Sequence, residues 1–317
     1  MAKDCTDTIL MVRPRQFGFN EETARNNHYQ KKPDDLSENE AQIRAKNEFD
    51  TFVEKLRANG IEVIVIEDTP EPHTPDSIFP NNWISFHEKG HIVWYPMYSE
   101  IRRGERRGDV IGILKSEHGF KVKQIHDLSI YESENEFLEG TGSMVLDRNN
   151  KLAYAAISDR THEKVLDVFT KKMGYTPIKF TANQTVNQSR LPIYHTNVMM
   201  CVAEKFVIIC LESIDDPSEK QMLLDTFKKT DKEVIEISEA QCNQFAGNML
   251  QVNNKNGDRF LVMSSTAFNS LNDQQISAIE KHCDIIHSSL KTIETLGGGS
   301  ARCMMAEVFL PKQEVVS

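Results

Sequence analysis

The feature that most limits what this chain can fold into is an order of elements returning at intervals of roughly 50 to 60 residues, a period at which repeats build propellers or closed arrays. Each unit reads as a hairpin, a helix and a strand. Residues 83–86 and 91–95 form a hairpin about the turn His87-Glu88-Lys89-Gly90, residues 109–117 read as a helix, and 121–125 read as a strand. The order returns at 143–146 and 152–157, with a helix over 163–173 ended by Gly174 and a strand over 176–180. It returns at 197–202 and 206–211, where Asp216-Pro217-Ser218 opens a helix that runs to Lys229 before a strand over 233–237. The last copy has strands 248–252 and 259–263 and a helix over 272–282, then continues through 285–296.

The two ends of the chain supply a fifth unit. Residues 8–12 are an apolar run stopped by Arg13-Pro14, residues 16–38 read as a long polar surface loop, 40–59 have helical period with Gly60 as a C-cap, and 61–66 read as a buried strand. The final apolar run, 304–310, has no helix after it, and its natural partner is the strand 8–12, which closes a ring. The expected fold class is therefore α+β: five ββαβ units around a pseudo-fivefold axis, a five-bladed α/β propeller in one domain over 1–317. In such a ring the hairpins begin near the axis, so segments 76–82, 139–142, 195–197, 243–248 and Cys303 converge on a central pocket.

Composition removes several alternatives. A net charge of -10 leaves no surplus of Lys and Arg for phosphates, so nucleic acid is not an expected partner. The six cysteines are scattered without a CxxC pair or zinc spacing and read as reduced thiols of a cytoplasmic protein. Residues 1–5 are polar with no leader pattern, and no apolar run approaches a membrane span, so no membrane partner is expected. Gly297-Gly298-Gly299 is followed by no phosphate-loop lysine and is not a GxGxxG turn, so neither a cofactor nor a metal is expected.

Three consecutive glycines cost backbone entropy and belong where no side chain fits or where φ must be positive. Cys303 follows them. Taken singly, Cys303 reads as a core cysteine, His195 as a half-buried structural histidine and Glu139 as a solvated turn carboxylate. Taken together, a thiol, a histidine and a carboxylate fall at equivalent places in different repeats. A thiolate nucleophile with a histidine that alternates between acid and base needs that set.

Several segments carry a resemblance, in order and spacing: 10–14 (LMVRP), 75–83 (PDSIFPNNW), Arg102-Arg103-Gly104-Glu105, Leu138-Glu139-Gly140-Thr141-Gly142, 157–161 (ISDRT), His195-Thr196-Asn197 and the loop 297–303. Together they resemble the guanidine-modifying pentein superfamily of arginine deiminases, dimethylarginine hydrolases and amidinotransferases, across nearly the whole chain. The resemblance implies that Cys303 attacks the central carbon of a guanidine or ureide, that His195 protonates the leaving amine and then activates water, and that Glu139 partners His195. It also implies that Arg160 and Arg102 hold the carboxylate of an arginine-like or citrulline-like amino acid, a planar fork suiting two oxygens.

The sequence departs from the deiminases where they grip the guanidinium with carboxylates. Those positions are Asn82 and Asn197, and a further family acid is Gly142; Asp76 is the carboxylate that survives. A buried cation needs counter-charges, whereas asparagine amides offer a donor and an acceptor to a neutral ureido group. The expected reaction is hydrolysis of citrulline to ornithine, ammonia and carbon dioxide. The alternatives are an arginine deiminase or dihydrolase, an amidinotransferase and, more remotely, a non-catalytic binding factor of the same fold. The sequence leaves a homo-oligomer open.

Overall fold

The computed structural model describes residues 5–33 and 36–313. Residues 1–4 of the polar N-terminus, 34–35 of the expected loop and 314–317 lie outside the described residues.

Among the described residues, the strands form five three-stranded sheets and one two-stranded hairpin. In every three-stranded sheet the middle strand is antiparallel to one neighbour and parallel to the other. The first sheet sets Thr8–Arg13 between Ala306–Glu307 and Glu62–Glu67. The second comprises Ile84–His87, His91–Trp94 and Gln124–Asp127. The third has Val145–Asp147, Leu152–Ala156 and Thr176–Phe180. The fourth joins Met200–Val202, Phe206–Ile209 and Glu233–Glu236, and the fifth Leu250–Asn253, Arg259–Ser264 and Asp284–Ser288. The pairing expected between the chain ends is present, with Ile9 opposite Glu307 and Leu10 opposite Ala306.

The crossover helices start and stop where local chemistry dictates. Glu38–Ala58 opens on a reciprocal capping box between Ser37 and Glu40, and Asp273–Glu280 on one between Asn272 and Gln275. Asp216 caps Pro217–Lys229, and Glu163–Met173 ends on Gly174 in the left-handed region. Their apolar faces bury against the sheets in four separate clusters. One of these sets Phe49, Phe52 and Leu56 against Ile9, Met11 and Val63, and reaches Cys303, Met304 and Met305. Each large side chain so buried contributes about 1.5–3 kcal/mol.

Four differences from the sequence reading have local causes. Three strands begin later than expected because a helical turn precedes each hairpin, at Pro80–Asn82, Gly140–Ser143 and Thr196–Val198. The strand expected at 121–125 lies at Gln124–Asp127, since Phe120 bridges to Lys312 and the Lys121 amide donates to the Pro311 carbonyl. An extra hairpin, Asn183–Val186 with Ser189–Pro192, turns through Asn187 and Gln188, both at positive φ. The segment 16–33 is no surface loop: Phe17, Asn20, Thr23, Asn27, Tyr29 and Gln30 are buried. Among the described residues no helix is long and apolar enough to cross a membrane.

Candidate active site

Cys303 is positioned by a helix that has to stop. Lys291–Gly297 ends at Gly298 (φ 61°), and the chain turns so that the Cys303 amide donates to the Ser300 carbonyl at 3.0 Å. The glycines are there for close approach. A Cβ on Gly297 would lie 2.8 Å from the Phe79 ring, and one on Gly298 would lie 2.5 Å from the Asn27 amide. The thiol is 3% exposed and receives two amide donors, Asn248 Nδ2 at 3.2 Å and Asn197 Nδ2 at 3.4 Å. Asn248 cannot turn freely, because its Oδ1 accepts from the Arg302 amide and its Nδ2 also donates to the Asn197 carbonyl. Both amides present hydrogen to sulfur, and the Asn197 Oδ1 lies 3.9 Å from it as an acceptor for the thiol hydrogen.

His195 stands against Glu139, with Nε2 2.7 Å from Oε2. A carboxylate acceptor fixes the ring proton on Nε2 and leaves Nδ1 to take another. The other carboxylate oxygen of Glu139 accepts the Tyr98 amide at 2.9 Å, so this side chain is held at both ends. Burial lowers the His195 pKa to about 4 against the pull of Glu139, which keeps the imidazole neutral. Burial alone would raise Glu139, but Arg160 and His195 hold it well below the usual carboxylate range. Gly142 is the space this arrangement needs: a Cβ there would sit 2.4 Å from Asn82 Nδ2 and 2.8 Å from His195 Nδ1.

Two buried arginines frame the other side. Arg102 makes a bidentate pair with Glu105 at 2.8 and 2.9 Å and donates to Asn82 Oδ1 at 2.9 Å. Burial pushes Glu105 up to about 7 against the opposing pull of Arg102. Arg160 Nε donates to Asn26 Oδ1 at 2.9 Å, its Nη2 donates to the Thr23 carbonyl at 2.8 Å, and its Nη1 lies 3.5 Å from Glu139. Its guanidinium also sits 4.9 Å from the Tyr194 ring centroid. Asp76 Oδ2 accepts from Asn20 at 2.8 Å and lies 3.8 Å from Arg102, while Oδ1 is buried without a partner. Burial raises the Asp76 carboxyl above its ordinary range.

The eight side chains singled out from sequence come together. Asp76, Asn82, Arg102, Arg160, His195 and Cys303 line one pocket of about 260 Å³, Glu139 lies behind His195, and Asn197 touches the thiol. Sequence reasoning left out Asn248, Glu105, Tyr194 and the covering segment with Asn20, Thr23, Asn26 and Asn27. For Glu105 a signal existed, since it stands three residues after Arg102 in the quoted segment. Asn248 ends a segment expected to converge, but nothing local marks an amide as a sulfur donor. The pocket thus combines a thiol, a neutral imidazole with a fixed tautomer, amide donors and one carboxylate oxygen without a partner.

Residues 13–310 match the model of the family described as N,N dimethylarginine dimethylhydrolase, eukaryotic. No curated protein matches the chain in sequence. Among solved structures, cyanobacterial ArgZ, an arginine dihydrolase of the ornithine-ammonia cycle, superposes with a TM-score of 0.73 at 16% identity, over 98% of this chain and 42% of that one. The chain therefore spans less than half of that protein. The N-terminal domain of ArgZ with product bound gives 0.70 at 17% identity, over 98% of this chain and 100% of that one. A variant dimethylarginine dimethylaminohydrolase in adduct with S-methyl-L-thiocitrulline gives 0.64 at 13% identity, over 96% and 99%. At these identities the structural likeness is one of fold.

Proposed function

As a member of the N,N dimethylarginine dimethylhydrolase family within the pentein superfamily, this chain is a hydrolase of C–N bonds, and we propose that it hydrolyses the ureido carbon of citrulline through Cys303. The observation that carries this reading is the amide surround of the thiol. Asn197 and Asn248 donate to Sγ, and the Asn82 Nδ2 lining the same pocket is buried without a partner. These groups suit a neutral carbonyl-bearing substrate better than a bare cation.

In the proposed sequence, His195 Nδ1 takes the thiol proton and the imidazolium is stabilised by Glu139. The thiolate adds to the ureido carbon, and His195 returns the proton to the departing amine, leaving a carbonyl bonded to Cys303 sulfur. Water, deprotonated by His195, displaces the sulfur, and the resulting carbamate splits into the second amine and carbon dioxide. Citrulline and one water give ornithine, ammonia and carbon dioxide. Arg160 and Arg102 are proposed to hold the substrate carboxylate. For Arg160 to present its fork, its bonds to Asn26 and the Thr23 carbonyl must yield.

One observation favours a second reading. The unpartnered Oδ1 of Asp76 could accept from a guanidinium, so arginine, taken with two waters through two hydrolytic steps to ornithine, two ammonia and carbon dioxide, is the alternative substrate; ArgZ is an arginine dihydrolase. Under either reading the five sheets are proposed as blades of one ring-shaped domain, and the six cysteines without a disulfide agree with a cytoplasmic setting.

The test is release of ammonia and ornithine from citrulline and from arginine in parallel, by wild type and Cys303→Ser. Ornithine from citrulline alone, lost in the variant, is the expected result. Ornithine from arginine as well assigns the dihydrolase, and citrulline from arginine a deiminase. No product from either overturns the substrate class, and product from arginine only with an added acceptor amine assigns an amidinotransferase.

A further inference from the structure

A second cleft, with about 1030 Å³ of empty space, shares no lining residue with the Cys303 pocket. Its walls carry Lys89, Lys151, Lys171, Lys172 and Arg148 against one carboxylate, Glu88, among the described lining residues. That is five cations gathered on a protein whose net charge is -10. Two come from hairpin turns at positive φ, Lys89 and Lys151, and two from the last turn of the helix Glu163–Met173.

The lysines alone have ordinary explanations. Cations favour helix C-termini, and turn lysines are commonly just solvated. Arg148 has no such explanation. It is 5% exposed, and its bonds are long: 3.5 Å to His87 Nδ1 and 3.4 Å to Glu307 Oε2. Its Nε is buried without a partner. The Glu307 carboxylate it leans on is shared with a second buried arginine, Arg302, at 2.9 Å. Nearby Asp147 is committed to Lys232 at 3.2 Å. Arg148 and Arg302 therefore share one carboxylate, and Arg148 adds stacking on Phe309 at 3.9 Å. Two buried cations on one anion leave a charge to be compensated. His87 responds to the same field, its pKa lowered by burial and then by Arg148 and Lys151. Lys151 is meanwhile held 5.1 Å over the Tyr175 ring at the cleft wall.

We propose that this cleft binds a small polyanion bearing phosphate or clustered carboxylate groups, with Arg148 at its floor and the four lysines around its rim. An anionic group at the cleft floor beside the Arg148 guanidinium supplements the shared Glu307 carboxylate, and the rim lysines neutralise the remaining charges.

The test is calorimetric titration of the full chain with pyrophosphate and, separately, with citrate at fixed ionic strength. Wild type should bind at least one of them saturably at one per chain, and the tighter of the two identifies phosphate or carboxylate chemistry. Lys171→Glu with Lys172→Glu should weaken that binding at least tenfold while leaving the unfolding midpoint and turnover unchanged. The matched control is Lys228→Glu with Lys229→Glu, also exposed at a helix C-terminus but outside the cleft, and it should bind as wild type. No saturable binding of either anion, or equal weakening in the control, overturns the proposal.

Discussion

The pocket at Cys303 and the cleft at Arg148 are both built on buried arginine, and they treat it in opposite ways. Arg102 and Arg160 have their donors taken up by Glu105, Asn82, Asn26 and the Thr23 carbonyl. Arg148 keeps an unpartnered Nε and shares its only acidic partner. The arginines of the Cys303 pocket are paired within the protein, while the pocket's free polar atoms are the Asp76 Oδ1 and the Asn82 Nδ2. The cleft is incomplete, and incompleteness in a buried cation points outward to a ligand. Charge pairing, more than the presence of charge, separates the two.

The largest expected effect breaks the symmetry outright. Cys303→Ser should lower turnover by at least ~10³-fold with little change in unfolding midpoint, as removal of a nucleophile does. The paired lysine variants at the cleft should leave turnover unchanged. An assay in which the cleft variants lose turnover as well would join the two regions and dissolve the contrast.

Next in size is a matched pair of arginine deletions followed by denaturant unfolding. Arg102→Gln strands the Glu105 carboxylate in the interior and should cost about 3–5 kcal/mol. Arg148→Gln removes only long bonds and leaves Glu307 paired with Arg302, and should cost about 1 kcal/mol. Equal losses at the two positions would mean that Arg148 is as well paired as Arg102.

A third effect is in pH. The folded chain lowers His195 from 6.5 to about 4, so between those values the unfolded state binds a proton that the folded state refuses. The His195 contribution is therefore complete above pH 6.5 and is lost as pH falls through the window toward 4, by up to about 3 kcal/mol. Asp76, Glu105 and His87 titrate in wild type and variant alike, so the difference between wild type and His195→Gln isolates this group. That difference should vary with pH between 4 and 6.5 and flatten above; a flat difference throughout would place His195 in contact with water.

The smallest effect compares two glycines. Gly142→Ala should cost about 1–3 kcal/mol and depress turnover, because its Cβ meets Asn82 and His195. Gly174→Ala, beside the cleft, meets nothing within 4 Å and pays only for a left-handed φ of 73°, about 1 kcal/mol, with turnover intact.

Much of this was legible in the chain itself. Hairpin, helix and strand recur because alternation, caps and turn residues are local signals, and the partner of the final strand followed from counting what remained unpaired. Cys303, His195 and Glu139 stood out because a repeating fold makes equivalent positions comparable. The strand at 121–125 was misplaced because the C-terminal segment, nearly two hundred residues away, claims Lys121. The burial of 16–33 was missed for the same kind of reason: polar side chains read as solvated until their partners are known, and Asn20, Asn26 and Asn27 find theirs at Asp76, Arg160 and the glycine loop.

By itself, then, the sequence determined the order of elements, the side chains available at converging positions and the presence of asparagine rather than aspartate at 82 and 197. Only the tertiary structure decided how each buried arginine is paired, that Asn248 turns its donor to sulfur, and which ring nitrogen of His195 faces Glu139. Periodicity and capping are properties of neighbours along the chain. Hydrogen-bond completion and desolvation depend on groups brought together from distant segments, and no local pattern encodes them.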